Sequence, residues 1–553
     1  MLGDPTPTLT LPRQRGREIG CHYFNMLNVH FRVKEAPSPA LALINARVIT
    51  MDPARPGGEA VSIRRGRIEA VGYAGDRRSL ERSGFRVIDC RGRTVLPGFI
   101  DAHIHLHAFA DSLMEPDLGH RRGVNCIADI QAVLREESRK RQPGTWIQCR
   151  GYHDFHLWEK RHPDRRDLDE AAACHPVKLT HATGHAHVLN SAALERVGIT
   201  AESPDPEGGW IDRDLETGEP TGVLFEMGSW LARRIPPDEA GMMEGAVERA
   251  DRALLSLGIT TVHDASSRND FERWQLFRRW QSGGSFRPRI AMMLGIEASS
   301  GGQYEEILRE EKGERRLSFG GVKIVLTEAT GRLHPDPKAL CELVLDIHRR
   351  GLRVAIHAVE ERAVEAALEA IEGARRKIPR PDCRHRIEHC SVCPPALAGR
   401  IAAAGVIVVT QPPFLYYNGD RYLETVPADQ RQWLYPLKTL MGYGVTVAGS
   451  SDGPVVPPDP LIGIRAAVSR RSEMGETVTE KEAITPLQAI ALYTIRAAEA
   501  GFMEKEIGSI KPGMRADLVI LSGDPSQIPP EQIAGIEVLA TILDGVLFQV
   551  REF

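Results

Sequence analysis

Short apolar runs recur along the chain, and what surrounds them changes with position. Residues 41–50 (LALINARVIT) and 60–72 alternate apolar and polar positions about a Gly-containing turn, the period-two pattern of strands with one buried face. The same style returns only near the end, in residues 516–521, 538–543 and 545–550. These two groups predict a small composite β-sandwich domain built from both termini, residues 41–96 with 502–553. Between them, from 97 to 501, compact apolar runs alternate with helical stretches. Eight predicted strands centre on residues 100–105, 259–263, 289–294, 322–326, 354–357, 386–389, 406–410 and 445–448. Residues 339–350, stopped by Gly351, and residues 361–371 predict two of the intervening helices. This alternation predicts an α/β protein, and eight such strands fit a closed (β/α)8 barrel of the TIM type. An open doubly wound sheet calls for a Gly-rich phosphate loop after its first strand, which is not seen. Residues 107–257 are too long for one crossover and predict a large insertion after strand one, a lid over the barrel mouth.

Composition narrows the function. With 553 residues the chain exceeds the roughly 250 of a plain barrel, leaving room for both additions. A 42% hydrophobic share with 26% charged residues is that of a globular protein with a large core. Seventy basic and 74 acidic residues leave a net charge of −4. That balance offers no basic footprint for nucleic acid and no sign of a membrane-surface role, and no apolar run is long enough to span a bilayer. A small-molecule substrate is the expected partner. The nine cysteines are scattered, with Cys390 and Cys393 the only close pair, and reduced thiols in the cytoplasm are the expectation. Residues 1–40, rich in Pro, Arg and Thr, lack the apolar core of a secretory signal and read as a disordered leader or an early start ahead of Met26.

The candidate chemistry sits at predicted strand ends. His103 and His105 close strand one, and residues two apart on a strand share a face, so both imidazoles project together, as metal ligands do. Lys323 lies in strand four, His357 ends strand five, His389 ends strand six, and Asp452 follows strand eight. Each has an ordinary alternative: a core histidine bonded to backbone, a solvated lysine, a turn aspartate before Gly453 and Pro454. Their joint placement on the rim where a barrel carries its chemistry favours a site.

These residues, with the segments Pro97–Leu106 (PGFIDAHIHL), 183–194, 206–211, 218–226, 258–264 and 508–518, resemble the amidohydrolase superfamily, and within it the family-3 amidohydrolases that include N-substituted formamide deformylases. The resemblance spans residues 41–550. It implies a divalent metal, zinc, held by His103, His105 and Asp452, and a second held by His357 and His389, with a carboxylated Lys323 between them. It implies hydrolysis of an amide-type carbon–nitrogen bond (N-formyl, N-acyl or cyclic) by a metal-activated hydroxide, with Asp452 as proton shuttle. His185, Asn190, Trp158, His153 and Glu226, with His156 and Arg332 beside them, are the candidates for substrate binding. A homodimer is an admissible assembly.

Two departures matter. Where many relatives place Asp-Gly soon after the strand-four lysine, this chain has Leu326–Gly331 (LTEATG). After His357 the usual Gly-Asp is replaced by Ala-Val-Glu360, the His-x-x-Glu spacing of mononuclear aminohydrolases, in which one metal suffices. The alternative is therefore a deaminase of an aminated heterocycle, with Glu360 and His389 as catalytic residues. Glu360 equally suits the first turn of a helix, where a carboxylate meets the positive end of the dipole. A catalytically silent binding homologue is a third reading, against which all six ligand positions are filled.

Overall fold

The computed structural model describes residues 40–72, 77–206, 208–236, 240–299, 302–311, 316–328 and 331–551. The expected leader, with Met26, lies outside the described residues.

Eight parallel strands form one sheet in sequence order. They are β1 (Phe99–Ile104), β2 (Ile259–Asp264), β3 (Arg289–Gly295), β4 (Leu317–Val325), β5 (Val354–Ala358), β6 (Arg386–His389), β7 (Ile407–Thr410) and β8 (Val447–Gly449). The ring closes just beyond β8, where the Asp452 N–H donates to the His103 carbonyl (2.9 Å) and the His105 N–H to that of Gly453 (2.8 Å). Closure thus ties the first histidine strand to the Asp452 turn through the backbone.

β4 starts at Leu317, earlier than its apolar run predicts, because Gly320 and Gly321 interrupt the pattern. Gly321 has φ +116°, and a Cβ there would meet the Arg353 side chain at 2.7 Å, so the bend admits only glycine. Helix Pro337–Arg349 begins two residues before the expected start, with Asp336 accepting from the N–H groups of Lys338 and Ala339 and Pro337 in the first turn. Helix Glu361–Lys377 outlasts its predicted end at Ile371. Its alanine-rich inner face continues to Ala374, and Pro379 stops it by excluding α geometry at Ile378.

Strands from the two termini meet in a six-stranded sheet. Thr94–Pro97 pairs antiparallel with Leu518–Leu521, which pairs with Val538–Leu543. A four-stranded sheet holding Ala40–Ile44, Ala60–Arg64, Arg67–Gly72 and Arg86–Asp89 packs on it, with Leu43, Val61, Ile63, Val95, Ile520 and Ile542 among the shared core. The expected single strand over 41–50 is split. Asn45, at φ +50°, turns the chain so that Ala40–Ile44 lies in one sheet and Arg47–Ile49 in the other.

The stretch between β1 and β2 carries its own five-stranded sheet, in the order Trp210–Arg213, Pro220–Phe225, Ala186–Leu189, Val177–His181, Ile147–Tyr152. Helix Ala240–Ser256 then returns the chain to the barrel. Among the described residues no helix is long and apolar enough to cross a membrane.

Candidate metal centre and active site

Alternating residues of a closed barrel point inward, and at the C-terminal ends of these strands the inward positions are polar. His103, His105 and Asp452 bring ligand atoms within 4.8 Å of one another. Asp452 Oδ1 lies 3.0 Å from His105 Nε2 and 3.4 Å from His103 Nε2. Lys323 Nζ, on β4, is 3.5 Å from His103 Nε2. The His389 ring is centred 5.0 Å from that of His103 and 4.3 Å from that of His357. All six expected ligand residues therefore converge on one spot at the rim.

The far side of three imidazoles is already occupied. His103 Nδ1 lies 2.6 Å from Glu388, His105 Nδ1 3.3 Å from the Ser266 hydroxyl, and His389 Nδ1 2.9 Å from the Gln411 side-chain oxygen. A ring nitrogen bonded to an acceptor holds the proton there and leaves the opposite Nε2 as a lone pair. Burial, reinforced by neighbouring cationic groups, drives His103, His357 and His389 well below the usual imidazole range, so all three are neutral donors. Burial pushes Lys323 down to about 8 against the opposing pull of Glu388 and Asp452. For Asp452 burial works upward, but His105 and His103 hold the carboxyl down at about 2. Asp452 Oδ1 is buried with no hydrogen bond. A carboxylate oxygen and neutral imidazole lone pairs facing one point, with an orphaned acceptor among them, fit a divalent metal.

A family model described as the amidohydrolase family matches residues 86–548. The chain belongs to the amidohydrolase family. The enzyme is thus a metal-dependent hydrolase acting on carbon–nitrogen bonds other than peptide bonds. It is 30% identical over 546 residues to the N-substituted formamide deformylase of Arthrobacter pascens, covering 92% of this chain and 98% of that one. It is also 30% identical over 485 residues to YtcJ of Bacillus subtilis (strain 168), covering 83% of this chain and 89% of that one. Among solved structures it resembles an uncharacterized metal-dependent hydrolase from Pyrococcus furiosus, with a TM-score of 0.68 and 26% identity over 88% of this chain and 100% of that one.

The substrate-binding candidates of this amidohydrolase separate. His185 reaches from the insertion to the mouth, its ring centred 6.2 Å from that of His357. Glu226 holds its Nδ1 at 2.9 Å, and that hydrogen bond raises the imidazole above its usual range. A cavity of about 450 Å³ opens beside the Asp452 turn, lined by His153, His156, Arg150, Tyr417, Pro454 and Val455 among others.

Asn190 corrects its expectation. It is fully buried; Oδ1 accepts from the N–H groups of Val177 and Ala193, and Nδ2 donates to the His175 carbonyl (2.9 Å). It is the N-cap of helix Ser191–Val197, with nothing left to offer a ligand. Trp158 is also corrected: it is 76% exposed and does not line the cavity. Arg332 is exposed as well. Glu360 is exposed as the N-cap of helix Glu361–Lys377, with no side-chain capping bond. Partial desolvation by the residues around the helix start, with the Glu328 carboxylate adding to it, raises its carboxyl above the usual range.

The most consequential residue that sequence reasoning missed is Glu388. Arg386 clamps it through Nε (2.7 Å) and a terminal nitrogen (2.9 Å) while also donating to the Ala102 carbonyl (2.7 Å), and both side chains are wholly buried. Burial would raise Glu388, but Arg386 and Lys323 keep it ionised. The signal lay in the chain: Arg386 and Glu388 are two apart on a buried strand, where charges must meet partners. Asp101 was missed too; it accepts from the Ser451 N–H at 3.0 Å and bonds the Ser451 hydroxyl, steadying the turn that carries Asp452.

Proposed function

We propose that this enzyme hydrolyses an N-formyl or N-acyl amide of a small molecule at a two-zinc centre, releasing an acid and an amine. The observation that carries the reading is Lys323. It is 2% exposed and faces the same point as the lone pairs of His103, His105 and His389, where burial disfavours an ammonium even against the pull of Glu388 and Asp452. Burial lowers its amine to about 8, which favours the neutral form that reacts with carbon dioxide. Addition forms an N–C bond and releases a proton, leaving a carbamate whose negative charge and two oxygens suit a bridge between cations. The similarity to a formamide deformylase along nearly the whole chain supports the amide class.

His103, His105 and Asp452 would hold one ion, and His357 and His389 the other, with carboxylated Lys323 shared. Bound there, the ions supply Lewis acidity that lowers the pKa of water toward neutrality and polarises the scissile carbonyl. Asp452, ionised and with Oδ1 free of hydrogen bonds, takes the proton of the attacking water and returns it to the leaving nitrogen as the C–N bond breaks. His185, oriented by Glu226, steadies the substrate from the insertion side.

Metal analysis of gently purified protein tests this. About two zinc ions per chain are expected, the complement of a two-metal hydrolase. Lys323→Ala should lose most metal and activity, with part of the rate restored by short carboxylic acids. Full metal and activity in that variant overturn the reading. A single ion that stays single in added zinc and bicarbonate transfers it to the aminohydrolase alternative.

A further inference from the structure

The insertion turns one polar face toward the barrel mouth. His185 and His187 lie two apart at the start of strand Ala186–Leu189, so they project to the same side. Thr180 pairs with His187, and Lys178, two residues before Thr180, shares that face. His185 reaches the metal centre, its ring centred 6.2 Å from that of His357. His187 is 5% exposed, yet neither of its ring nitrogens has a hydrogen bond. A buried polar group left without partners is costly, and a ligand that bonds it removes the cost. Burial, with Lys178, His185 and Arg268 adding to it, holds this imidazole down at about 3. The charges that act on His187 are all basic, so the missing partner is an anion.

Arg268 is the second, independent observation. It sits on the loop after β2, and that loop is pinned. The Asp264 carboxylate accepts from the Ser266 N–H (2.9 Å), from Asn269 Nδ2 (2.8 Å) and from the Leu106 N–H (3.0 Å). Ser266, two residues before Arg268, bonds the metal-centre residue His105 at 3.3 Å. Among the described residues the Arg268 guanidinium makes no hydrogen bond or ion pair. Its surroundings desolvate it enough to lower its pKa, and Asp111 is the acidic group that opposes the shift. Asp111 pairs instead with His107, at 2.9 Å. Lys178 and Arg150 act on Asp111 as well, so three cations gather about one carboxylate. A desolvated cation without its own counter-charge calls for an anionic partner.

We infer that Arg268, aided by Lys178 and His187, forms an anion subsite that selects amides carrying a carboxylate a few bonds from the scissile carbonyl. The inference rests on the amide-hydrolase reading above and adds a specificity-determining residue to it. Strands rise about 3.3 Å per residue, so His187 stands about 7 Å along the sheet from His185. A substrate whose carbonyl lies at the metal centre beneath His185 thus spans to Arg268 with a short chain. There the planar guanidinium takes the carboxylate through two N–H groups, and His187 donates its one ring N–H.

The test is calorimetric titration of the full-length, metal-loaded holoenzyme with 4-oxopentanoate and 6-oxoheptanoate, each beside its uncharged methyl ester. These ketones mimic an amide carbonyl but have no carbon–nitrogen bond, so binding is read whether or not amides are turned over. At least one acid should bind about tenfold or more tightly than its ester, the worth of a hydrogen bond to a charged group. Arg268→Gln should erase that advantage, and Arg268→Lys should restore part of it. A carboxylate that merely ligates the metal keeps its advantage in Arg268→Gln, and that result overturns the subsite. Should the variants fail to fold, the unaltered protein decides: acids that bind no better than their esters overturn it equally. Hydrolysis of uncharged amides beside such a result would sink the subsite alone. Arg268-dependent acid binding with no amide cleaved would sink only the amide reading.

Discussion

At the scale of single residues, the centre depends on side chains that touch no ligand point themselves. Glu388 fixes the proton of His103 on Nδ1, and Arg386 keeps Glu388 ionised in a space that excludes water. Glu388→Gln preserves shape and removes the charge, so divalent-metal affinity should fall roughly 10–100-fold, measured by competition with a chromophoric chelator. Unchanged affinity would show that His103 needs no anionic partner. Glu360 lies at the other extreme, exposed at a helix start. Glu360→Gln should leave kcat nearly unaltered; a loss of about a hundredfold, the usual worth of a general acid or base, would reinstate it as a proton shuttle.

At the scale of elements, the insertion is held by caps as much as by its sheet. Asn190 serves helix Ser191–Val197 and strand Val177–His181 at once, because one carboxamide oxygen accepts from both. Asn190→Ala removes the cap and orphans the buried Val177 N–H, a combined cost of about 2–3 kcal/mol. The urea midpoint should drop while kcat at saturating substrate stays the same. A large loss of kcat with normal stability would return Asn190 to the substrate site. The split of the first strand at Asn45 is also an element-level event: one left-handed residue hands the chain from sheet to sheet and lets a single run serve both halves of the sandwich.

Across the whole molecule, the barrel and the terminal sheets are joined by a buried ionic knot. Arg289, on β3, bonds Asp517 at 2.8 and 3.2 Å and also pairs with Asp544, which Arg316 and Arg515 reach as well. Arg289 is 4% exposed and Asp517 2%. Arg289→Leu strands the aspartates without their main counter-charge, a loss of about 3–5 kcal/mol for a broken buried pair. Limited proteolysis should then cut the terminal strands first, and the metal content of the surviving barrel should not change. Simultaneous loss of metal would mean that the sandwich and the barrel rim unfold together.

Much of this was legible in the chain because strand faces and helix stripes follow from local backbone geometry. His103 and His105 share a face by spacing alone, the eight apolar runs mark the barrel strands, and Gly351 marks the end of a helix within a few residues. What the chain did not show depends on which distant elements become neighbours. Glu388 meets His103 across 285 residues, Arg289 meets Asp517 across 228, and Asn190 is consumed by a strand it does not adjoin in sequence. Lys178 and His187 share a face only once two strands of the insertion have paired in one register. Periodicity is a property of neighbouring residues and survives in the unfolded sequence. Partnership of buried charges is created by closure of the barrel and docking of the sheets, which alone decide where water is excluded and which polar groups must satisfy one another.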